Sequence, residues 1–508
     1  MTTLQKSHPN IAKEFFSNAI RNNNYFVITL IVILASILML LYLGKKSLWQ
    51  DEALSVTLAR QDWTTFWLVL SKRSNMGLYH MMLHWWVKIG QSEFIVRSLS
   101  VIFALATVPV TYALGSRLFG PRTGIIASLL LTVNAFFIRY AQEARSYSLV
   151  LLLVTLSSYF FVISIERPSW RSWIGYVICS ILAVYSHLFA VLVLLTHGAS
   201  LVFLRRKDVQ WRSLVISVAA ILFMTLPLSI RIIARGKFGL NWIQQPEIDS
   251  LLRLFYNLVG RSVLLLKGYI ILCLISIILA IRTLATSKRS LETWRYFYIL
   301  TWLILPIVLV FSYSFYKPMF VPRYFIICLT PFVLLASIGL SNLQRLSRWL
   351  LLGYLFIMLI LSGIALVKWY SGYDKEGGED WRQVASYVLS KVQKGDTIFF
   401  VPPDVSLPFD YYLHRLNSMD MITEPIYKSS ANHVKSRFER RKWPKFDKSV
   451  LDDLAAQYHR VWLVGMNLTA HQDTQNSLIL GSLKRNYELI DTRQFKKITL
   501  LLYEVKEL

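Results

Sequence analysis

Two adjacent carboxylates, Asp51 and Glu52, stand where the first long apolar segment of the chain gives way to polar sequence. A carboxylate is costly to desolvate at a membrane interface, so such residues tend to face a polar cavity, a proton, a cation or a reacting hydroxyl group. The same pair is consistent with an acidic first turn of the helix that follows. The two carboxylates are therefore candidates for acid–base chemistry and, equally, for a helix cap.

The chain is too hydrophobic to be an ordinary soluble protein. Of its 508 residues, 55% are hydrophobic and 14% are aromatic, and its mean hydropathy is +0.46, well above the average for globular proteins. The apolar residues form runs of roughly 16 to 22 residues, the length that a helix needs to cross a hydrocarbon core of about 30 Å. The predicted fold class is a polytopic α-helical membrane protein. Eleven transmembrane helices are predicted, with cores that begin at Tyr25, Ser98, Thr123, Ser148, Ile174, Leu188, Ser213, Gly268, Tyr296, Tyr324 and Trp349.

The distribution of basic residues predicts the orientation. The N-terminus lacks a signal-peptide cleavage site and is expected to stay in the cytoplasm. Short connections on that side then carry clusters such as Arg205-Arg206-Lys207, as the positive-inside rule requires. Many cations also fall on the outer side, and the net charge is +26. This excess suggests an anionic ligand such as a phosphate head group, although interfacial snorkelling explains any single cation.

A second domain is expected after the last apolar run. Glycines and acidic residues follow Lys368, and no later run is long enough to span a membrane. The pattern beyond them predicts a small extracytoplasmic α/β domain without a nucleotide-phosphate loop. Its predicted helices and strands are Asp380–Leu389, Thr397–Val401, Val450–Tyr458, Arg460–Gly465 and Ile498–Tyr503.

The predicted organisation has three parts. Residues 1–24 form a cytoplasmic segment, residues 25–368 a transmembrane catalytic domain, and residues 369–508 the α/β domain. The outer loops of the middle part are 44–97, 139–147, 232–267 and 314–323. In the first of them, Trp63–Leu70 and Leu78–Val87 are amphipathic and are predicted to be helices along the membrane interface. Loops of this kind commonly frame a cavity.

Several outer segments together resemble a known family. The chain is similar to the GT-C glycosyltransferases related to dolichyl-phosphate-mannose protein mannosyltransferases and bacterial aminoarabinose (ArnT-like) transferases. The segments that carry the resemblance are Trp49-Gln50-Asp51-Glu52, Gly77-Leu78-Tyr79-His80, Ser92-Glu93-Phe94-Ile95-Val96-Arg97, Arg139-Tyr140-Ala141-Gln142-Glu143-Ala144-Arg145, Tyr185-Ser186-His187, Pro322-Arg323-Tyr324 and Asp380-Trp381-Arg382. Many relatives have Pro-Pro-Leu-Tyr where this chain has Met76-Gly77-Leu78-Tyr79, so the backbone turn differs there.

The resemblance implies an activity. Such enzymes take a sugar from a polyprenyl-phosphate carrier on the extracytoplasmic side and transfer it with inversion to a protein, lipid or glycan acceptor. The acceptor hydroxyl must lose its proton as it attacks, and a carboxylate base supplies about 10² to 10⁴ of the rate. Asp51 is the expected base. Glu52, also expected to be catalytic, and Glu143 would orient the acceptor, position a cation or pair with the arginines that bind the phosphate. The expected partners are this donor, the acceptor and membrane lipids, with no nucleic acid.

The leaving phosphate develops negative charge, which nearby cations stabilise. The residues expected to bind the substrate or the lipid phosphate are Arg145, Arg323, Lys72, Arg73, Glu143, Tyr79, His187 and Tyr324. For Glu143, an ion pair with Arg139 four residues earlier is an equal alternative. His187 is also compatible with a structural role.

A metal site has weaker support in the sequence. His80 and His84 have the spacing that places two imidazoles on one helix face. No third ligand is evident nearby, and the aromatic belt at a membrane interface also accommodates them. No cofactor is firmly implied, although a divalent cation is compatible with the sequence.

Two other functions compete with a glycosyltransferase. A transporter or flippase of lipid-linked sugars would use the outer cations to guide a phosphate, but it should carry charges near the middle of the bilayer or broken helices in two related halves. A scaffold protein would give no reason for the outer acids and arginines. We therefore expect a multi-pass hexosyl- or pentosyltransferase of a bacterial plasma (inner) membrane, with its active site on the extracytoplasmic side.

Overall fold

A computed structural model of the chain describes residues 9–71, 76–235, 243–372, 379–401, 405–416, 458–466, 480–481 and 483–506, with the side chains from residue 23 onward. The chain forms two compact units. Residues Met1–Leu41 and Ser100–Ser371 form the membrane unit, and residues Tyr42–Leu99 and Gly372–Leu508 form the loop–tail unit. The sequence assigned residues 44–97 to the loops of the membrane domain, whereas the structure groups them with the C-terminal tail.

The membrane unit is helical throughout its described part. Its helices are α1 (Pro9–Leu40), most of α5 (Glu93–Phe119), α6 (Pro121–Thr132), α7 (Ala135–Ala141), α8 (Tyr147–Glu166), α9 (Trp170–Ser186), α10 (Ala190–Ser200), α11 (Trp211–Arg235), α12 (Ile248–Leu258), α13 (Val263–Thr286), α14 (Leu291–Ser314), α15 (Leu329–Leu343) and α16 (Arg348–Tyr370). Short 3₁₀ helices cover Leu201–Phe203, Arg206–Asp208 and Pro322–Cys328.

The prediction of a polytopic helical protein is confirmed. Eight described helical segments are long and apolar enough to cross a membrane, and the number is nine if α6 and α7, which are bent by 63°, form one span. Each of the eleven predicted runs lies on a helix. The runs at Ile174 and Leu188 correspond to the shorter helices α9 and α10. The number of eleven crossings therefore stays a prediction.

Small residues allow close helix packing inside the membrane unit. At Gly339 of α15, an added Cβ atom would lie 2.1 Å from the carbonyl oxygen of Leu272 on α13. No side chain fits at that distance, so only glycine permits this approach of the two backbones. Close approach through small residues is a common way for helices to associate where lipid offers no hydrophobic gain.

The loop–tail unit combines short helices with a sheet. Its first part contains α2 (Gln50–Ala59), α3 (Trp63–Ser71) and α4 (Gly77–Trp86), and its second part contains α17 (Trp381–Lys391) and α18 (Ser406–Arg415). The helices predicted around Trp63–Leu70 and Leu78–Val87 are therefore present. The helix predicted at Val450–Tyr458 lies almost entirely outside the described residues.

A mixed four-stranded sheet forms the core of the tail. The strands are β1 (Thr397–Val401), β2 (Arg460–Met466), β3 (Tyr487–Phe495) and β4 (Ile498–Val505), in the order β1-β2-β4-β3. β1 and β2 are parallel, and the other two pairs are antiparallel. The three predicted strands are confirmed as β1, β2 and β4, which are buried along most of their length.

Candidate active site

The first turn of α2 presents Asp51 at the surface of the loop–tail unit. The helix starts after Trp49, whose backbone is extended. Asp51 is partly exposed, whereas every residue from Glu52 to Ala59 is buried. Among the residues of α2 after Gln50, Asp51 is therefore the one whose side chain reaches solvent.

Glu52, unlike Asp51, points into the interior of the same unit. Its side chain is fully buried, and Arg97 is only 4% exposed. The Arg97 guanidinium donates from Nε to Glu52 Oε1 at 2.9 Å and from Nη2 to Oε2 at 2.7 Å. This two-bond geometry is the strongest form of an arginine–carboxylate pair. Each carboxylate oxygen of Glu52 thus accepts a hydrogen bond from Arg97.

The geometry favours a structural role for Glu52 over the catalytic role that the sequence predicted. The carboxylate orients the helix instead, because Oε2 also accepts a hydrogen bond from the backbone N–H of Trp49 at 3.4 Å. The adjacent position in the sequence suggested a catalytic pair, but successive residues of a helix point about 100° apart. One of the two side chains can therefore face solvent while the other is buried.

Arg97 also holds the segment that leads into α2. Its Nη1 donates to the carbonyl oxygens of Leu43 and Lys46, both at 2.9 Å, and its Nη2 donates to the carbonyl oxygen of Ser47 at 3.0 Å. The guanidinium thus satisfies three backbone groups and one carboxylate. Arg97 was part of the motif that the sequence indicated, but nothing in its sequence context predicted this role.

A second buried carboxylate joins the first loop to the tail. Glu93 is 2% exposed and accepts hydrogen bonds from Arg382 of α17 and from Arg415 and Tyr412 of α18. The Tyr412 hydroxyl accepts in turn from the backbone N–H of Leu48 at 2.9 Å. The motif Asp380-Trp381-Arg382 is therefore part of a hydrogen-bond network that includes the segment before α2.

The other candidates in the loop–tail unit lie on or near α4. The Nδ1 atoms of His80 and His84 lie 2.7 Å from the carbonyl oxygen of Met76 and 2.9 Å from that of Ala59, respectively. Tyr79 is fully buried. Lys72 and Arg73 lie outside the described residues. In the part of the chain that the structure describes, no group of three His, Cys, Asp or Glu side chains could hold a metal ion.

In the membrane unit, three helix connections bring cations and aromatic rings together. Arg145 lies in the turn between α7 and α8, His187 in the connection between α9 and α10, and Arg323 at the start of the 3₁₀ helix Pro322–Cys328. The Tyr147 and Tyr324 rings flank the imidazole, with centroid distances of 6.3 and 5.4 Å. We call these five residues the cation cluster.

His187 is at the centre of the cation cluster and is 2% exposed. Its Nδ1 accepts a hydrogen bond from the backbone N–H of Phe189 at 3.2 Å, so Nε2 carries the proton. Among the described residues, the buried Nε2 atom has no hydrogen-bond partner. Burial lowers the pKa of His187 to about 3, and the charges of Arg145 and Arg323 add to this effect. The imidazole is therefore neutral and presents one N–H donor within the electrostatic influence of two guanidinium groups.

Each guanidinium group of the cation cluster lies near a tyrosine ring, in a cation–π contact. The Cζ atom of Arg145 lies 6.0 Å from the centre of the Tyr147 ring, and that of Arg323 lies 5.6 Å from the centre of the Tyr324 ring. A buried donor without a protein acceptor is unusual. Two guanidinium groups beside it repel other cations, so an anion with several oxygen atoms fits this arrangement.

Glu143 forms the ion pair with Arg139 that the sequence gave as an alternative to substrate binding. Its Oε1 lies 3.6 Å from Nε of Arg139 in an i, i+4 ion pair, and both side chains are largely buried. The Arg139 guanidinium also lies 5.4 Å from the ring of Trp369. The ion pair between Glu143 and Arg139, which the sequence offered as an alternative, is therefore present.

A cavity of about 400 Å³ lies beside the 3₁₀ helix that begins with Pro322. Its lining includes Val321 and Pro322, directly before Arg323, and polar side chains of the outer loop 232–267 such as Gln245 and Asn257. The volume is within the range of small-molecule sites.

Comparisons with known proteins agree with the motifs. Residues 72–230 match the family model of dolichyl-phosphate-mannose-protein mannosyltransferase. No curated protein has a matching sequence. The described fold is similar to that of ArnT from Cupriavidus metallidurans, with a TM-score of 0.62 for the form bound to undecaprenyl phosphate and 0.61 for the apo form. Each match has 14% identity and covers 94% of this chain and 97% of ArnT.

A more distant similarity links the chain to the oligosaccharyltransferase of Archaeoglobus fulgidus. The form tethered to an acceptor peptide matches with a TM-score of 0.52 and 11% identity, over 95% of this chain and 74% of that protein. The family match and the shared fold confirm the resemblance to the GT-C glycosyltransferases of the mannosyltransferase and ArnT-like type.

Proposed function

We propose that this GT-C protein is an integral membrane glycosyltransferase that moves a sugar from a polyprenyl-phosphate carrier to an extracytoplasmic acceptor with inversion. The observation that carries the proposal is the cation cluster of the membrane unit, which combines a buried N–H donor, two arginines and two tyrosine rings. The similarity to ArnT bound to undecaprenyl phosphate supports the choice of a lipid phosphate as the anion.

The proposed donor site uses the charge and the fixed geometry of this cluster. Arg145 and Arg323 bind the phosphate oxygens, and the Nε2 proton of His187 donates a third hydrogen bond. The phosphate diester of the bound donor carries one negative charge, and the departing phosphate monoester gains a second. Cations fixed in advance bind the developing charge more tightly than the ground state, which lowers the barrier.

The proposed chemical step is an in-line displacement at the anomeric carbon. The acceptor hydroxyl oxygen forms a bond to this carbon while the bond from carbon to the phosphate oxygen breaks. The hydroxyl proton passes to the carboxylate of Asp51, and the polyprenyl phosphate leaves with the bonding electron pair. One displacement from the opposite face inverts the configuration. A positioned carboxylate base contributes on the order of 10² to 10⁴ in rate.

Glu52 has a different part in this scheme from the one the sequence predicted. Because its oxygens are both occupied by Arg97, it positions the first turn of α2 and does not meet the substrate. Asp51 remains the proposed base on the evidence of its place in the motif and its partial exposure. The other predicted substrate residues, Tyr79 and Glu143, are proposed to support the site indirectly.

The proposed setting is a plasma (inner) membrane, with the site on its extracytoplasmic side. The acceptor is a protein, lipid or glycan hydroxyl, and the transferred sugar is a hexose or a pentose. A divalent cation stays compatible with this mechanism, since the arginines and a metal ion would both stabilise phosphate.

The test is sugar transfer from a labelled panel of polyprenyl-phosphate sugars in membranes that contain the full chain. Native protein is compared with Asp51→Asn at matched expression, and with Glu488→Gln as a control. Glu488 is an exposed carboxylate on β3, so its loss should leave transfer unchanged. We expect Asp51→Asn to reduce transfer by at least about 10² while it still binds the donor.

Two results would count against the proposal. Transfer by Asp51→Asn at the native rate removes the general-base assignment. If native protein transfers no sugar from the panel but moves lipid-linked sugar across vesicle membranes, the transporter alternative replaces the enzyme. An enzyme releases the free carrier when the donor is present and loses this release in Asp51→Asn. A transporter would release no free carrier.

A further inference from the structure

The tail contributes a carboxylate to the start of α2. Oε2 of Glu379 accepts hydrogen bonds from the backbone N–H of Gln50 at 3.3 Å and from Nε1 of Trp381 at 2.6 Å. Gln50 is the first residue of α2, and its N–H is one of the groups that have no partner within the helix. Glu379 therefore completes the first turn of the helix that carries Asp51.

The residues after Glu379 fix its position. Oδ1 of Asp380 accepts from the Ser47 hydroxyl at 3.3 Å, and the same hydroxyl accepts from the backbone N–H of Arg382 at 3.2 Å. The Arg382 guanidinium donates to the carbonyl oxygen of Gly44 at 3.0 Å and pairs with the buried Glu93. Three contacts thus tie this short stretch of the tail to the segment before α2, and a fourth ties it to the start of α5.

The carboxylates of Glu379 and Asp51 interact electrostatically. Burial raises the pKa of Glu379, and the negative charge of Asp51 raises it further. The hydrogen bonds from Trp381 and Gln50 and the charge of Lys497, from the turn between β3 and β4, act in the opposite direction. Coulombic interactions are mutual, so a charged Glu379 makes Asp51 a stronger base by the same interaction.

We propose that Glu379 is a positioning residue for Asp51, which holds the first turn of α2 and places a second carboxylate beside the base. This inference rests on the proposed function, because it assigns Glu379 to the same transfer step. Glu379 accepts no proton from the acceptor in this scheme. Its role is to fix the direction of Asp51 and to raise its affinity for the hydroxyl proton.

Two substitutions separate the two parts of this role. Glu379→Gln keeps an oxygen acceptor for Gln50 and Trp381 but removes the charge. Glu379→Ala removes both the charge and the hydrogen bonds. If the role of Glu379 is purely structural, Glu379→Gln should keep kcat and the pH profile close to native. If Glu379 affects the basicity of Asp51, the pH profile of Glu379→Gln should change. Glu379→Asp, which restores the charge on a shorter side chain, is the conservative rescue.

The experiment is the pH dependence of kcat/KM for the full-length protein, with Glu488→Gln as the matched control. In Glu379→Gln we expect the acidic limb of the profile to move to lower pH and kcat to fall about threefold to tenfold, with the KM for the donor unchanged. Glu379→Asp should return the limb toward the native pH. Glu379→Ala should lower kcat further.

The outcomes distinguish this inference from the proposed function. If Asp51→Asn is inactive but Glu379→Gln retains the native acidic limb and the native kcat, the inference about Glu379 is wrong and the proposed function stands. If Asp51→Asn transfers sugar at the native rate, the general-base assignment fails first. A rise in donor KM without a change in kcat would place Glu379 at the donor and would also overturn the positioning role.

Discussion

Removal of the Glu52 side chain tests whether this buried carboxylate positions the first turn of α2. In the Glu52→Ala variant, the Arg97 guanidinium loses its only carboxylate partner among the bonds that the structure describes for it. Both side chains of the pair are at most 5% exposed, so water does not replace the lost partner. Leaving one charge of a buried pair without its counter-charge typically costs about 3–5 kcal/mol.

The structure points to the lower end of this range. Arg97 keeps three hydrogen bonds to the carbonyl oxygens of Leu43, Lys46 and Ser47, and these dipoles partly compensate its charge. We therefore expect Glu52→Ala to lower the free energy of unfolding by about 3 kcal/mol. Substitution of the exposed Glu488 should change it by less than about 0.5 kcal/mol.

A double-mutant cycle measures the pair directly. The free energies of unfolding of Glu52→Ala, Arg97→Ala and the double variant are obtained by denaturation of the detergent-solubilised full chain. We expect a coupling energy of about 2–3 kcal/mol, within the range for residues in one buried network. A coupling below about 1 kcal/mol, the value of an exposed ion pair, would refute the reasoning.

Kinetics provide an independent test of the same assignment. If Glu52 acts through Asp51, the variant that still folds should show a lower kcat with an unchanged KM for the donor. An unchanged kcat with a raised KM would mean that Glu52 binds the substrate in the ground state. That result would restore the site role that the sequence assigned to Glu52.

Three further predictions concern the membrane unit. Arg145→Ala should lower kcat/KM for the donor by about 10², whereas Arg282→Ala, at an exposed position of α13, should leave the transfer assay unchanged. Below pH 6.5 the unfolded chain protonates His187 while the folded chain, with a pKa of about 3, does not. Stability should therefore fall as the pH decreases from 6.5 toward 3, and His187→Gln should show a weaker dependence of its melting temperature on pH. Gly339→Ala should cost about 1–3 kcal/mol in thermal unfolding, whereas Gly353→Ala, with open space around the added atom, should not.

The membrane helices could be predicted because apolar runs of spanning length are a strong local signal. The strands β1, β2 and β4 could be predicted because their residues are mostly apolar, which is also a strong local signal. β3 was missed because Tyr487–Phe495 is polar and exposed along most of its length, as suits an edge strand. α18 was missed because Ser406-Leu407-Pro408 reads as a turn, although proline is tolerated in the first turn of a helix.

The candidate site was harder to predict than the fold. The motifs named Asp51, Glu52 and Arg97 but did not indicate that Glu52 and Arg97 pair with each other. Arg97 and Glu52 are 45 residues apart in the sequence, and Arg382 and Glu93 are 289 residues apart. Such pairs depend on the tertiary structure, and no periodicity or spacing encodes them. For the same reason the sequence could not separate a catalytic from a positioning role for two adjacent acids.

In both units the candidate functional groups lie at the same kind of position, at or near the end of a helix. Asp51 lies in the first turn of α2, Arg145 and His187 lie in helix connections, and Arg323 begins a 3₁₀ helix. A charged side chain at the middle of a bilayer costs at least about 2.5 kcal/mol, and irregular backbone there needs protein or water as a partner. The free-energy cost of placing polar and charged side chains is therefore lowest where helices end. The apolar helices contribute to function indirectly, because their packing determines where these ends lie. A change in close packing, such as that at Gly339, should consequently shift the cation cluster without touching it.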